Sequence, residues 1–137
     1  MTYRFLPHTA DIRVAIEAPS LELLFAEATE VMRQLLAGDS PVESHLRHPV
    51  RISTGDTAEL LLGYLRELLY RFDTDRFVPA RVAFDMATPT QMAGEVSGEK
   101  FDPARHQVQP EVKAVTRHGL VVAHKDTGWH AEVLFDL

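Results

Sequence analysis

The sequence predicts an α+β fold of two layers, with two helices packed on one face of a mixed, mostly antiparallel sheet. Three observations carry this expectation. Apolar residues recur at three- and four-residue spacing over two segments in the first half of the chain. They alternate with polar residues at the N-terminus, between those segments and through most of the second half. No Pro/Gly/Ser-rich linker, close repeat or low-complexity run divides the 137 residues, so residues 1–137 read as one domain.

Tyr3 and Phe5 alternate, and Leu6-Pro7-His8-Thr9-Ala10-Asp11-Ile12 reads as the turn of an opening hairpin. Pro7 cannot donate to a ladder, and Thr9 and Asp11 are turn formers. Ile12, Val14 and Ile16 then alternate with Arg13, Ala15 and Glu17, as in a strand with one buried face. Ser20 is a good N-cap for a helix over 21–36, whose apolar stripe is Leu21, Leu24, Phe25, Ala28, Met32 and Leu35. Gly38 stops it, and the polar residues 39–48 with Pro41 form a loop.

Val50 and Ile52 suggest a short strand. Asp56 and Glu59 resemble a capping box, opening a second helix. Leu61, Leu62, Leu65, Leu68, Leu69 and Phe72 give that helix a broad apolar face, widened by Leu60 and Tyr64, so it is the more buried of the two. Asp73-Thr74-Asp75 ends it. Beyond Arg76 the period falls to two: Val82, Phe84 and Met86 alternate, Pro89 breaks the run, and Met92 to Val96 resume it. Residues 97–110 form an irregular connection. Val112 to Thr116 and Leu120 to His124 make two strands or one bent strand, with Gly119 as bulge or turn. Ala131, Val133 and Phe135 close the chain as a last strand.

Composition narrows the function. Hydrophobic content is 45% and charged content 25%, as in an ordinary globular domain. There are no cysteines, which excludes disulfides, thiolate zinc sites and a thiol nucleophile and is compatible with a cytoplasmic location. No apolar run has membrane-spanning length, and no secretory signal pattern opens the chain. The net charge of −6 disfavours strong direct binding to nucleic acid and favours cations, small ligands or basic protein partners.

Two stretches carry chemical possibilities. His8 and Asp11 stand three apart on the first turn; they are either a surface histidine and a turn-capping acid, or ligands held on one loop. Asp136 and the carboxylate of Leu137 offer four oxygens at the end of the last strand, and Asp11 would add two if that strand lies beside the first. Such crowding suits a hard cation, Ca²⁺ or Mg²⁺; otherwise Asp136 is a solvated acid at a strand end. In Glu111-Val112-Lys113-Ala114-Val115-Thr116-Arg117-His118, Lys113 either lies on an outward face or meets a phosphate or acid in a pocket, and His118 poses the same choice. His118 and His124 share a face only if their strand runs straight, and Gly119 argues against that zinc pair. No nucleophile elbow and no phosphate-cradling glycine loop is present.

Together these stretches resemble the archease family. The resemblance rests on His8-Thr9-Ala10-Asp11, on Ser20-Leu21-Glu22-Leu23-Leu24-Phe25 and on Leu65-Arg66-Glu67-Leu68-Leu69-Tyr70. It continues through Gly98-Glu99, Asp102 and His106, then Glu111 to His118, and ends in Trp129 to Asp136-Leu137. Arg117 stands where an aromatic is common, and Gly63-Tyr64 where a tryptophan is often found; neither departure removes a ligand. The resemblance implies a protein cofactor of the RtcB-type tRNA-splicing RNA ligase, one that is not itself an enzyme. It would promote guanylylation and multiple turnover of the ligase and broaden the nucleotides it accepts. It also implies a metal site, calcium by the usual assignment, at Asp11, Asp136 and Leu137. Lys113 is implied as functionally required, with His8 and His118 in less defined roles. A free-standing metal-dependent hydrolase and a chaperone-like binding module are the alternatives.

Overall fold

The computed structural model describes residues 11–137. The opening hairpin turn and His8 therefore lie outside the described residues, apart from Asp11 and Ile12. The elements run β1 (Asp11–Ala18), α1 (Leu21–Ala37), β2 (Leu46–Ser53), α2 (Thr57–Asp75), β3 (Phe77–Ala87), β4 (Gln91–Lys100), β5 (Ala114–Lys125) and β6 (Gly128–Asp136). The α+β class and the two helices are as expected from the sequence. The strands, however, form two three-stranded sheets, ordered β1-β6-β5 and β2-β4-β3, and every described ladder is antiparallel. Alternation marks a strand but not its neighbour, so the split into two sheets is invisible to periodicity.

Both helices begin at the expected caps. Ser20 accepts from the Leu23 amide and Asp56 from the Glu59 amide, each satisfying a donor that the first helical turn leaves open. The second cap is half a capping box, because the Glu59 carboxylate turns to Arg117 instead of back to Asp56. Gly38 ends α1. Helix α2 runs through Asp75 and ends at Arg76, whose left-handed backbone (φ 58°) is held as its guanidinium lies 4.1 Å from the centre of the Phe72 ring.

The helices pack on each other and bridge the sheets: α1 lies against β1, β6 and β3, and α2 against β5 and all three strands of the other sheet. Leu24, Phe25, Ala28 and Met32 of α1 meet Leu61, Tyr64, Leu65 and Leu68 of α2 within one continuous core. Each fully buried leucine contributes about 2 kcal/mol of transfer free energy. Tyr64 keeps its hydroxyl in that core by sharing a hydrogen bond with Thr29, and burial raises the Tyr64 pKa well above its ordinary value.

Two element limits differ from expectation. Strand β2 begins at Leu46, inside the expected loop, and includes Pro49; β3 begins at Phe77, where the period falls to two, and includes Pro79. Both are edge strands, where a missing amide costs no ladder bond. Strand β4 runs on to Lys100, so the irregular connection covers 101–113. Gly98 permits this: a Cβ there would sit 1.9 Å from the Val78 carbonyl oxygen, beside the bulge between Pro79 and Arg81. No helix among the described residues is long and apolar enough to cross a membrane.

Candidate functional site: an acidic row at one end of the first sheet

β6 is the central strand of its sheet. Ala131, Val133 and Phe135 point to the helices and are fully buried. The alternate residues Glu132, Leu134 and Asp136 face the other way. The register then places Asp11 of β1 directly across from Asp136 on one side and Ala114 of β5 directly across on the other. The three share one face of the sheet in one row, and Ala114 fills little of it. The condition under which Asp11 would join Asp136, that the last strand lies beside the first, holds in this pairing.

Two backbone contacts fix the row. The Lys113 amide donates to the Asp136 carbonyl oxygen at 2.7 Å. Arg66 of α2 donates through Nε to the Val115 carbonyl oxygen at 3.1 Å, tying the start of β5 to the helix. Lys113 itself precedes β5 rather than lying within it, and its side chain is exposed. Leu137 packs against the core with its side chain.

Asp136 has the unusual environment. Its Oδ1 is buried and has no hydrogen-bond partner among the described residues. A buried carboxylate oxygen without a donor costs on the order of 1–3 kcal/mol, more if charged, and asks for an explanation. An unsatisfied anionic oxygen opposite a second carboxylate is the donor chemistry a hard cation takes. Still, no group of three His, Asp or Glu side chains among the described residues is arranged to hold a metal ion.

His118 is not brought into the row. Between Thr116 and Val121 the β5–β6 register jumps, so Arg117-His118-Gly119-Leu120 stands opposite the single residue Val133. Gly119 makes this excursion possible: its φ is 66°, and a Cβ would meet the Arg13 guanidinium at 2.5 Å. Arg13 instead donates to the Gly119 carbonyl oxygen at 2.8 Å. Arg117 reaches Glu59 of α2 with two hydrogen bonds of 2.7 and 2.9 Å, which hold the Glu59 carboxyl below its ordinary pKa. The excursion breaks the face that His118 and His124 would share, and His124 stacks on Trp129 instead, 4.4 Å between ring centres.

Sequence reasoning missed two clusters. His130 lies between Glu17 (3.2 Å) and Glu132 (3.3 Å), and Glu132 also accepts from Arg13. His130 first and Arg13 second lower the Glu132 pKa. Only the β1–β6 register could have revealed this group. The other is Glu99 with Arg105 and His106, whose residues were visible as a Gly98-Glu99…Asp102…His106 pattern without a role. Glu99 and His106 are buried. Glu99 accepts from the Glu43 amide and from Arg105. The Asp102 amide donates to His106 Nδ1, so the ring proton sits on Nε2, 3.4 Å from Glu99 without closing a hydrogen bond.

Comparison with known proteins agrees with the resemblance. Residues 3–137 match the Archease protein family (MTH1598/TM1083). Protein archease of Methanosarcina mazei is 31% identical, over 98% of this chain and 95% of that protein. That of Methanopyrus kandleri is 31% identical over the full length of both. The solution structure of Methanobacterium thermoautotrophicum protein 1598 superimposes with a TM-score of 0.75 at 30% identity, covering 96% of each chain. The crystal structure of an archease from Thermotoga maritima, described as a possible chaperone, gives 0.71 at 18% identity, covering 100% of this chain and 98% of that one, and so bears on the fold alone. By sequence match over nearly its whole length and by fold, the chain belongs to the archease family.

Proposed function

We propose that this protein is a non-catalytic activator of an RtcB-type RNA ligase, promoting guanylylation and multiple turnover and widening nucleotide use. The observation that carries the reading is the buried Asp136 Oδ1, without a partner among the described residues, on a residue directly across from Asp11. Those two acids, with the Leu137 carboxylate, are the donors we assign to a divalent cation, Ca²⁺ by the family resemblance. The donor set fits, being all oxygen and anionic. When bound, the cation would supply fixed positive charge against the crowded acids.

The chain's own residues do the rest. The Lys113 amide holds the Asp136 backbone in register, and the Lys113 side chain, exposed at this end of the sheet, is the residue we assign to contact a phosphate or a partner's acid. His8 and His118 are assigned to ligase activation without a defined step. Guanylylation gathers triphosphate charge and metal ions at one place, and an acidic cofactor with a placed lysine can orient such charges. Its negative net charge suits docking to a basic, RNA-handling enzyme.

The test is single-turnover loading of labelled GMP onto an RtcB-type ligase with substoichiometric protein. Faster loading that is lost in Asp136→Asn, with the fold intact by circular dichroism, supports activator and site together. Faster loading that persists in Asp136→Asn, Asp11→Asn and Lys113→Ala removes the site. Turnover of small phosphoesters by the protein alone would favour the hydrolase reading.

A further inference from the structure

The outward face of the second sheet carries the opposite chemistry. β4 is its central strand, and Ser97 pairs with Arg47 of β2 on one side and Arg81 of β3 on the other. Paired residues share a face, so two arginines flank one serine in a single row, about 10 Å apart across two strand spacings. Arg51 lies four residues further along β2, about 13 Å from Arg47, and all three arginines are exposed. Arg47, Arg81, Ser44, Ala83, Glu95 and Ser97 line a cleft of about 250 Å³. Ser97 donates to Ser44 there, which puts two hydroxyls between the guanidiniums.

The arginines are only lightly neutralised. Among the described residues, Arg81 and Arg51 have no carboxylate within ion-pair distance, although Asp85 lines the neighbouring cleft with Arg51. Arg47 reaches Glu95 at 3.7 Å, a loose exposed pair. The floor between the arginines is Ala83, Ala93, Ser97 and Glu95, and its one charged group, Glu95, is turned to Arg47. It has no large exposed apolar anchor of the kind that dominates protein–protein binding. Planar guanidiniums fit phosphate oxygens two at a time, and charges spread over 10–13 Å exceed what one phosphate can meet.

We infer that this arginine-lined face binds the backbone of a single-stranded nucleic acid, its guanidiniums on successive phosphates and the Ser44 and Ser97 hydroxyls on phosphate or sugar. The contact is local and salt-sensitive, in keeping with a chain whose total charge is negative. It is independent of the acidic row on the other sheet.

The test uses the whole protein and fluorescence anisotropy of a labelled oligouridylate of about twelve nucleotides. Three phosphate contacts on a single strand give a log K against log salt slope of about −2, and Arg81→Ala should make it shallower by about 0.7. Arg81→Ala should also weaken binding several-fold at low salt. Glu95→Gln frees Arg47 and should tighten binding several-fold, a gain that misfolding cannot produce. Arg81→Ala should leave ligase guanylylation unchanged, so failure here is separable from failure of the activator reading. No anisotropy change at low salt overturns the inference. So does wild-type binding by both variants, and so does tight binding of a mononucleotide with none of the oligonucleotide.

Discussion

Each of the two sheets buries a carboxylate on the side turned away from the core, and the two are treated differently. Glu99 on β4 is covered by the loops around Glu43 and Arg105, and both its oxygens are met: one by the Arg105 guanidinium, the other by the Glu43 amide. Asp136 on β6 is buried at Oδ1 and met by nothing among the described residues. The first carboxylate closes the 101–113 connection onto the fold. The second has no such contact among the described residues, and a buried oxygen left open in this way calls for an explanation. The surrounding faces lean the same way: Asp11, Glu17, Glu132 and Asp136 outnumber Arg13 and His130 on one sheet, and Arg47, Arg51 and Arg81 outnumber Glu95 and Asp85 on the other.

The strongest way to break this contrast is to remove the satisfied acid. Glu99→Ala strands the Glu43 amide and frees Arg105, and should lower stability by about 2–3 kcal/mol. Urea unfolding reads it as a shift in midpoint, and a shift below about 0.5 kcal/mol would mean the latch does not hold the loop.

Acid provides the next largest effect. Burial alone raises the Glu99 pKa, but the Glu43 amide and Arg105 outweigh it and hold it below the ordinary value. A depressed folded pKa gives stability that is whole above the unfolded value of about 4.3 and is lost as pH falls through the folded one. Wild-type urea midpoints should therefore decline below about pH 4. Glu99→Gln should start lower at neutral pH and decline less over that interval.

Calcium sharpens the other side of the comparison. At tenfold excess over its Kd, a cation bound only to the folded state stabilises by about 1.4 kcal/mol, a rise of a few degrees in Tm. Wild type should show the rise, Asp136→Asn should not, and Glu99→Gln should show it undiminished. A rise in Asp136→Asn equal to wild type would place the cation elsewhere.

The smallest effect is the most diagnostic. Without added metal, Asp136→Asn breaks no side-chain hydrogen bond among the described residues, so stability should stay within about 0.5 kcal/mol of wild type or rise slightly. A loss comparable to that of Glu99→Ala would show Asp136 to be a structural group with partners of its own.

Much of the fold was legible in the chain. Helix α1 was expected over 21–36 and spans Leu21–Ala37, and both N-caps are the expected residues, because caps and apolar stripes act within one or two turns. The limits misjudged were the start of β2, which opens at Leu46 inside the expected loop, and the end of β4, which runs on to Lys100. Of the site, the neighbourhood of Asp11 and Asp136 was legible as a possibility and became a directly paired row. The break between His118 and His124 was foreshadowed by Gly119, whose positive φ carries the chain out of register; that the same excursion keeps His118 out of the row was not.

The sequence by itself determined the helices, their ends, the strand-forming segments and the acidic balance, since each depends on residues close in the chain. The tertiary structure alone decided the division into two sheets, the partners of β6 and β4, the satisfied Glu99 beside the unsatisfied Asp136, and the alignment of Arg47 with Arg81. Those depend on which strands pair and in what register. That choice is made by the shared burial of both sheets against one pair of helices, a sum over distant contacts that no local pattern encodes.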